Sequence, residues 1–344
     1  MSKSQNNKTS SEKRSKASPK GAGSKQSRKT TNYGLGSRNM VLAAKNALSR
    51  AGKSYSSIAT ISQRFSHFAA FAKETANIKI MEQIKRDTVL EYAKLLAEKV
   101  NSGQMAAATA QNYLSAVNVV LSLARGDYNL RVTAVGDAGL ASRSGIAKED
   151  KSVNIADHLD AVGRASSVVG LMLEIQRELG LRFEESVKID AQKAYAQAVE
   201  KGAVKIDAGT KGGRVREVPI TSNSQIVALK AAAEYQGYHK IRSMIGTGQT
   251  YKDFRHAAYN EVRVLSINFH GERHAYAIQR YQTLVGVGAP VVVGISKPTE
   301  HIAFIAKKLG ISVKDASSLD YSTRLKISYE LGHSRTSVTR AYLG

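Results

Sequence analysis

Residues 331–342 read LGHSRTSVTRAY, a segment that joins a Gly-His pair to a tyrosine nine residues further along the chain. Gly332 suits the carboxyl end of a helix, and Ser334 or Thr336 suits the amino-terminal cap of the next one. The segment therefore predicts a helix, a sharp turn at His333 and a second short element that ends with Tyr342. Because His333 and Tyr342 lie on successive elements, the chain can fold back and bring both side chains to one site.

Three further motifs precede this segment. Residues 180–185 read GLRFEE and place Arg182 directly after an apolar helical stretch. Residues 210–220 read TKGGRVREVPI, which predicts a β-hairpin around two glycines with Lys211 at its tip. Taken singly, each cation is an ordinary surface residue. Their order along the chain is what makes them informative.

The third motif, HGERH at residues 270–274, allows two interpretations. His270 and Arg273 are three residues apart, so on a helix both project from one face and can grip one small anion. His270 and His274 are four apart, a spacing that can also bind zinc. Glu272, however, stands where neither common zinc-protease arrangement has its glutamate. We therefore favour the anion site.

Charge and composition narrow the classes of function. The chain carries 51 Lys and Arg against 28 Asp and Glu, a net charge of +23, which favours a polyanionic partner such as nucleic acid. Residues 1–38 contain ten basic residues and one acid, so most of the excess lies on the rest of the chain. There is no cysteine, which excludes disulfides, a thiol nucleophile and thiolate-bound metals. We expect no secretory signal and no membrane segment.

Composition and periodicity divide the chain into four segments. Residues 1–38 are poor in large apolar side chains and predict a disordered basic tail. Residues 39–128 repeat apolar side chains every three to four positions, which predicts a compact helical bundle. Residues 129–152 are rich in turn residues and predict a linker. Residues 153–344 mix helical patterns with one hairpin and predict a second domain.

Taken in order, the four motifs resemble those of the tyrosine recombinase (phage integrase) family. That family has G-L-R-x-x-E, a lysine on a β-hairpin, H-x-x-R and L-G-H-x(8)-Y; Glu185 fits the acidic position of the first motif. The resemblance implies a mainly α fold with a small β-sheet or hairpin. Residues 39–128 resemble the family's SAM-like DNA core-binding domain, and the rest implies a mixed α+β catalytic domain. The implied function is a site-specific recombinase, or integrase, of a mobile element.

The residue types in these motifs suit the chemistry of DNA strand transfer. Tyr342 would attack the scissile phosphate and hold the 3′ end as a phosphotyrosine, which conserves bond energy without ATP. Arg182 and Arg273 would clamp the non-bridging oxygens and offset the charge that builds up in the transition state. With these groups present, no cofactor and no metal ion is required.

The resemblance implies the remaining roles. Lys211 is expected to protonate the leaving 5′-oxygen, and His270 to assist deprotonation of the tyrosine. His333 is expected to donate a hydrogen bond to the phosphate. Arg214 and Arg216, on the strand after the hairpin tip, are candidate contacts to DNA phosphates, with solvated strand charges as the alternative.

The resemblance also implies partners: double-stranded DNA with specific recombination sites, a homotetramer on that DNA, and accessory DNA-bending proteins, in the cytoplasm at the nucleoid. Two features depart from the family pattern. Sixty residues separate Arg273 from His333, which predicts an inserted loop-and-helix segment at about residues 284–322. Only two residues follow Tyr342, so we expect the insertion or the tail to couple protomers, in place of the element that many relatives dock on a neighbour.

Three alternative functions stay open at this point. A non-catalytic, sequence-specific DNA-binding protein of the same fold would bind DNA without forming a covalent adduct. An enzyme like a type IB topoisomerase would nick and relax DNA without joining partner sites. A metal-dependent nuclease that uses His270 and His274 would lose its activity in EDTA.

Overall fold

A computed structural model of the chain describes residues 31–143 and 145–344. Fifteen α-helices and a two-stranded antiparallel sheet form this described part, which confirms the predicted mainly α fold with one small hairpin. The chain divides into two compact units, the first ending at Arg143 and the second beginning at Ser144. None of the described helices is long and apolar enough to cross a membrane.

The first unit is a bundle of four helices. Each helix turns one apolar stripe toward a common core, as the three-to-four-residue periodicity predicts. Phe65 and Phe68 are fully buried, and the Phe68 ring meets the Tyr92 ring edge-on at 5.2 Å between centroids. The helices are α1 (Met40–Arg50), α2 (Tyr55–Ala76), α3 (Arg86–Asn101) and α4 (Ala107–Arg125).

This unit extends further at both ends than the sequence predicts. Asn32 and Val132 are both fully buried in it, so residues 31–38 and 129–143 pack on the bundle. These segments are mostly polar and irregular, and periodicity cannot reveal the few side chains that anchor them. The disorder predicted for residues 1–30 lies outside the described residues.

The second unit surrounds a larger core of its own. Leu173 and Ile175 lie fully buried near its centre. Its helices are α5 (Ile155–Arg164), α6 (Ser167–Leu179), α7 (Phe183–Lys188), α8 (Ala191–Lys201), α9 (Asn223–His239), α10 (Tyr251–Val264), α11 (Phe269–Val285), α12 (Pro290–Val293), α13 (Pro298–Leu309), α14 (Val313–Glu330) and α15 (Arg340–Leu343), and its strands are β1 (Ala203–Ile206) and β2 (Arg216–Pro219).

The hairpin lies where its sequence pattern predicts. Strand β1 pairs with β2 antiparallel, with Ala203 opposite Pro219 and Ile206 opposite Arg216. Alternate residues of each strand point into the core, as the two-residue period of a strand requires. The connecting loop carries Lys211 on the exposed side.

Residues 284–322 are part of the core of the second unit. They form the end of α11, all of α12 and α13, and the first half of α14. Ile305 is fully buried, and Nε2 of the buried His301 lies 3.0 Å from the carbonyl oxygen of Gly288. The segment therefore supports the helices that carry the site residues. That it is an insertion relative to the tyrosine recombinase family stays a prediction.

Candidate active site

The GLRFEE motif forms the turn between α6 and α7. Gly180 ends α6 with a φ of +63°, and a Cβ atom there would lie 2.6 Å from the ring of Tyr276, so glycine is required. Arg182 caps α7, and its backbone N–H donates to Oε2 of Glu185 at 2.7 Å. The Arg182 side chain keeps 21% of its surface exposed. It is therefore anchored and still accessible to a ligand.

Glu185 is the buried anion around which the cations gather. Its carboxylate accepts hydrogen bonds from Arg182 at 2.8 Å and from both terminal nitrogens of Arg216 at 2.7 Å each. Nη1 of Arg273 lies 3.9 Å away. Burial alone would raise the pKa of Glu185, but the hydrogen bonds and charge of Arg216 outweigh it and hold this pKa at about 2. Glu185 is therefore ionised at neutral pH and balances part of the surrounding positive charge.

The HGERH motif occupies the start of α11, which Asn268 caps. His270 is exposed on the first turn, and Arg273 is fully buried on the next. Partial burial lowers the pKa of His270, and the charges of Arg273 and Arg182 lower it further. His270 is therefore neutral at pH 7 and able to accept a proton.

Arg273 connects three parts of the site. Its guanidinium donates to the main-chain carbonyl oxygens of Gly180 and Leu331, and its Nε donates to the hydroxyl of Tyr342 at 3.2 Å. Burial lowers the pKa of Arg273 to about 10, so the side chain stays cationic at neutral pH. A fixed positive charge thus touches the tyrosine oxygen.

Tyr342 lies on α15 and is 6% exposed. Two imidazole rings of α11 flank it, with centroid distances of 5.8 Å to His270 and 4.7 Å to His274. The sequence left open whether this tyrosine serves its own chain or a neighbour. In this structure the Tyr342 hydroxyl lies in the site of its own chain.

His333 lies in the turn after α14, with Nε2 3.3 Å from Nη2 of Arg182. The carbonyl oxygen of Leu331, two residues earlier, accepts hydrogen bonds from both Arg182 and Arg273. Burial lowers the pKa of His333 to about 4, and the charges of Arg273 and Arg182 act in the same direction. The turn therefore brings a neutral imidazole to the arginine pair.

Lys211 and Arg214 are exposed on the hairpin loop. No described residue pairs with the Lys211 ammonium group. The loop starts beside the GLRFEE turn, because a Cβ atom on Gly209 would lie 2.9 Å from the backbone nitrogen of Glu185. Burial lowers the pKa of His333 most, and the charges of several arginines, Arg214 among them, lower it further. The Arg214 side chain is therefore close enough to the site to act on His333.

The placement of Arg216 runs against its predicted contact with DNA. The residue is 7% exposed, and its Nε donates to the main-chain oxygen of Glu330 at 2.7 Å while its terminal nitrogens hold Glu185. Residue 216 shares the inward face of β2 with Val218, since positions two apart on a strand point the same way. Arg216 therefore positions Glu185 instead of facing solvent.

Two buried residues of α11 adjoin the site and had no predicted role in it. His274, weighed only as a metal ligand, packs on Tyr342, and burial lowers its pKa to about 4. Glu272 is fully buried and pairs with Arg177 at 2.7 Å. Nδ1 of His158 lies 3.0 Å from the other carboxylate oxygen of Glu272, within ion-pair distance but not aligned as a hydrogen bond. The position of Glu272 and His274 directly beside Arg273 was the only feature of the sequence that could have pointed to them.

Comparisons with known proteins found one family model and several solved structures that resemble this chain. The integrase family model matches residues 138–282, which include four of the six predicted catalytic residues: Arg182, Lys211, His270 and Arg273. The search of curated proteins found no match. No cluster of three or more acidic or histidine side chains in residues 31–143 and 145–344 is placed to hold a metal ion.

Several solved structures share the fold. The Tn1549 transposon integrase in complex with a circular intermediate DNA is 10% identical with a TM-score of 0.53, over 90% of this chain and 96% of that chain. The XerH site-specific recombinase bound to difH substrate is 15% identical with a TM-score of 0.51, over 88% and 80%. A lambda integrase dimer bound to a COC′ core site is 13% identical with a TM-score of 0.50, over 86% and 94%.

The family model and the solved structures point to one class of protein. Residues 138–282 resemble the integrase family, and the chain has the fold of tyrosine recombinases.

Proposed function

We propose that this protein is a site-specific recombinase of a mobile element, which cuts and rejoins double-stranded DNA through a covalent 3′-phosphotyrosyl intermediate at Tyr342. The observation that carries the proposal is the hydrogen bond from the buried Arg273 to the Tyr342 hydroxyl. A tyrosine held against a fixed cation, beside two neutral imidazoles and a second arginine, matches what phosphodiester transesterification needs.

In the first step the oxygen of Tyr342 attacks the scissile phosphorus, and the bond from phosphorus to the 5′-oxygen breaks. The tyrosine loses its proton, and His270 is the accepting group, since its lowered pKa keeps it neutral. The charge of Arg273 stabilises the developing tyrosinate at 3.2 Å. The 3′ end then remains on Tyr342 until a 5′-hydroxyl of the partner strand attacks and reverses the step.

The phosphate lies between two arginines in this proposal. The exposed part of Arg182 donates to the non-bridging oxygens, and the guanidinium charge of the buried Arg273 offsets the charge that builds up in the transition state. His333, 3.3 Å from Arg182, donates a further hydrogen bond once it carries a proton on the nitrogen that faces the phosphate. Glu185 keeps Arg182 in place throughout.

Lys211 is the general acid that protonates the leaving 5′-oxygen. Its exposure on a loop that starts beside Arg182 supports this role, because the loop can close on a bound phosphate. Arg214 on the same loop is proposed as a contact to the DNA backbone. Replacing Arg214 by alanine is then expected to reduce the salt dependence of DNA binding by about one phosphate contact.

The remaining parts of the proposal concern the assembly. The substrate is double-stranded DNA with specific recombination sites, and the net charge of +23 supports it. Four copies of the chain on DNA, with accessory DNA-bending proteins, follow from the family resemblance, as does a place at the nucleoid in the cytoplasm. The reaction is proposed to be independent of metal ions, because the side chains named above supply both the charge and the proton transfers.

The test is a nicked suicide substrate made from the DNA ends of the element that encodes the protein, used in EDTA with wild type and Tyr342→Phe. We expect a covalent protein–DNA band with wild type and none with the variant. If neither protein forms the band although both bind the DNA, the protein is a DNA-binding protein of the same fold. A band that leads only to nicking and relaxation assigns a topoisomerase-like activity, and cleavage without a band that appears only when Mg²⁺ replaces EDTA assigns a metal-dependent nuclease.

A further inference from the structure

The first described residues of the second unit contact the proposed catalytic centre directly. We call residues 145–153 the connector. Its first contact is with the helix of the nucleophile: the N–H of Ala147 donates to the carbonyl oxygen of Arg340 at 2.9 Å. Arg340 begins α15, two residues before Tyr342. The connector therefore holds the backbone of the helix that carries the tyrosine.

The second contact is with the start of α11. The N–H of Val153 donates to the carbonyl oxygen of Gly271 at 3.3 Å, and Gly271 lies between His270 and Arg273. The approach is close, because a Cβ atom on Gly271 would lie 2.7 Å from Cγ2 of Val153. Any larger side chain at position 271 thus displaces the connector.

A buried ion pair fixes this second contact. Nη1 of Arg177 donates both to the carbonyl oxygen of Val153 at 3.1 Å and to Oε2 of Glu272 at 2.7 Å. Glu272 is fully buried and precedes Arg273 in α11. One arginine therefore ties the end of the connector to the turn that carries the HGERH motif.

We propose that the connector is a positioning element of the catalytic centre, which holds α15 and the start of α11 in register so that Tyr342 meets Arg273. Helix α15 has only four residues, too few to be stable without tertiary contacts. In-line attack requires the nucleophile to be placed accurately, and a displacement of about 1 Å costs on the order of 100-fold in rate.

This inference rests on the proposed recombinase function. Its first test is Gly271→Ala, which sets a methyl group against Val153. The double variant Gly271→Ala/Val153→Ala removes the side-chain atoms that this methyl group meets. The matched control is Gly163→Ala, a glycine in α5 where a Cβ atom meets nothing within 4 Å. Covalent-adduct rates are measured on the suicide substrate, and DNA affinity is measured in a Tyr342→Phe background.

We expect Gly271→Ala to slow adduct formation by about 10- to 100-fold, with DNA affinity within about twofold of wild type. The double variant should recover most of the rate, and Gly163→Ala should match wild type. An unchanged rate in Gly271→Ala, or a slow rate that the double variant does not recover, overturns the proposal.

A substrate with sulfur in place of the 5′-bridging oxygen separates positioning from proton donation, because a thiolate leaves without a general acid. Displacing the connector should slow both substrates equally, since it disturbs the nucleophile. If sulfur restores the rate of Gly271→Ala, the variant acts through the general acid and the proposal is wrong.

A second variant tests the proposal independently, in case Gly271→Ala does not fold. Ala147→Pro removes the N–H that donates to Arg340 and leaves the hydrogen bond between Val153 and Gly271 of α11 in place. It should slow the adduct by a similar factor while melting temperature and DNA affinity stay near those of wild type. A wild-type rate in this variant counts against the proposal. Absence of adduct with wild type itself points instead to failure of the proposed function.

Discussion

Glu185 offers the sharpest test of the charge arrangement in the site. Its side chain is fully buried and accepts hydrogen bonds from Arg182 and from both terminal nitrogens of Arg216, with Arg273 3.9 Å away. Glu185→Gln keeps the shape of the side chain but removes its negative charge. It also places an amide N–H₂, which can only donate, against the guanidinium donors. Removing one partner from a buried ion pair costs about 3–5 kcal/mol, because the other charge is left uncompensated.

The pKa of Glu185 gives an independent measure of the same effect. A folded-state pKa of about 2, against 4.5 for the free side chain, corresponds to roughly 3 kcal/mol of stability. Because the folded pKa is the lower one, this stability is present above pH 4.5 and is lost as the pH falls toward 2. The two arguments agree in magnitude, so we expect Glu185→Gln to lower the free energy of unfolding at pH 7 by about 3–5 kcal/mol.

The assay is urea unfolding of the full chain followed by circular dichroism, comparing the transition of the second unit between wild type and variant. The matched control is Glu184→Gln, next to Glu185 on α7, where the exposed carboxylate pairs with Lys188 at 2.6 Å. Exposed pairs of this kind contribute up to about 1 kcal/mol. The reasoning is refuted if Glu185→Gln costs no more than Glu184→Gln, or if its cost does not shrink between pH 4.5 and 2.

Two further predictions concern proton donation and acid stability. Lys211→Ala should slow adduct formation on the ordinary suicide substrate by about 100- to 10,000-fold, and a 5′-bridging sulfur should restore the rate; an equal loss on both substrates would exclude Lys211 as the general acid. The fold favours neutral His274, whose pKa falls from 6.5 to about 4, so its stability contribution is complete above pH 6.5 and declines toward pH 4. Between pH 7 and pH 5, the free energy of unfolding of His274→Phe should therefore fall by roughly 2 kcal/mol less than that of wild type, as measured by urea unfolding. Equal falls in the two proteins would contradict this.

Local patterns were sufficient to predict much of this protein. Apolar periodicity indicated the four helices of the first unit, and paired glycines between apolar runs indicated the hairpin with Lys211 at its exposed tip. The helices and the hairpin are accessible because each depends on residues within one or two turns of each other. The prediction that Arg182, Arg273 and Tyr342 share one site came instead from the order of the motifs and the family resemblance that they carry.

Other features depend on contacts between distant residues, which no local pattern encodes. The Arg273–Tyr342 contact joins residues 69 apart, and Arg216 turns inward because Glu185, 31 residues earlier, provides a buried anion for it. The packing of residues 129–143 on the first unit is invisible for the same reason. Exposed and buried arginines look identical in a sequence, because burial of a charge depends on whether the fold supplies a counter-charge and hydrogen-bond acceptors at that point.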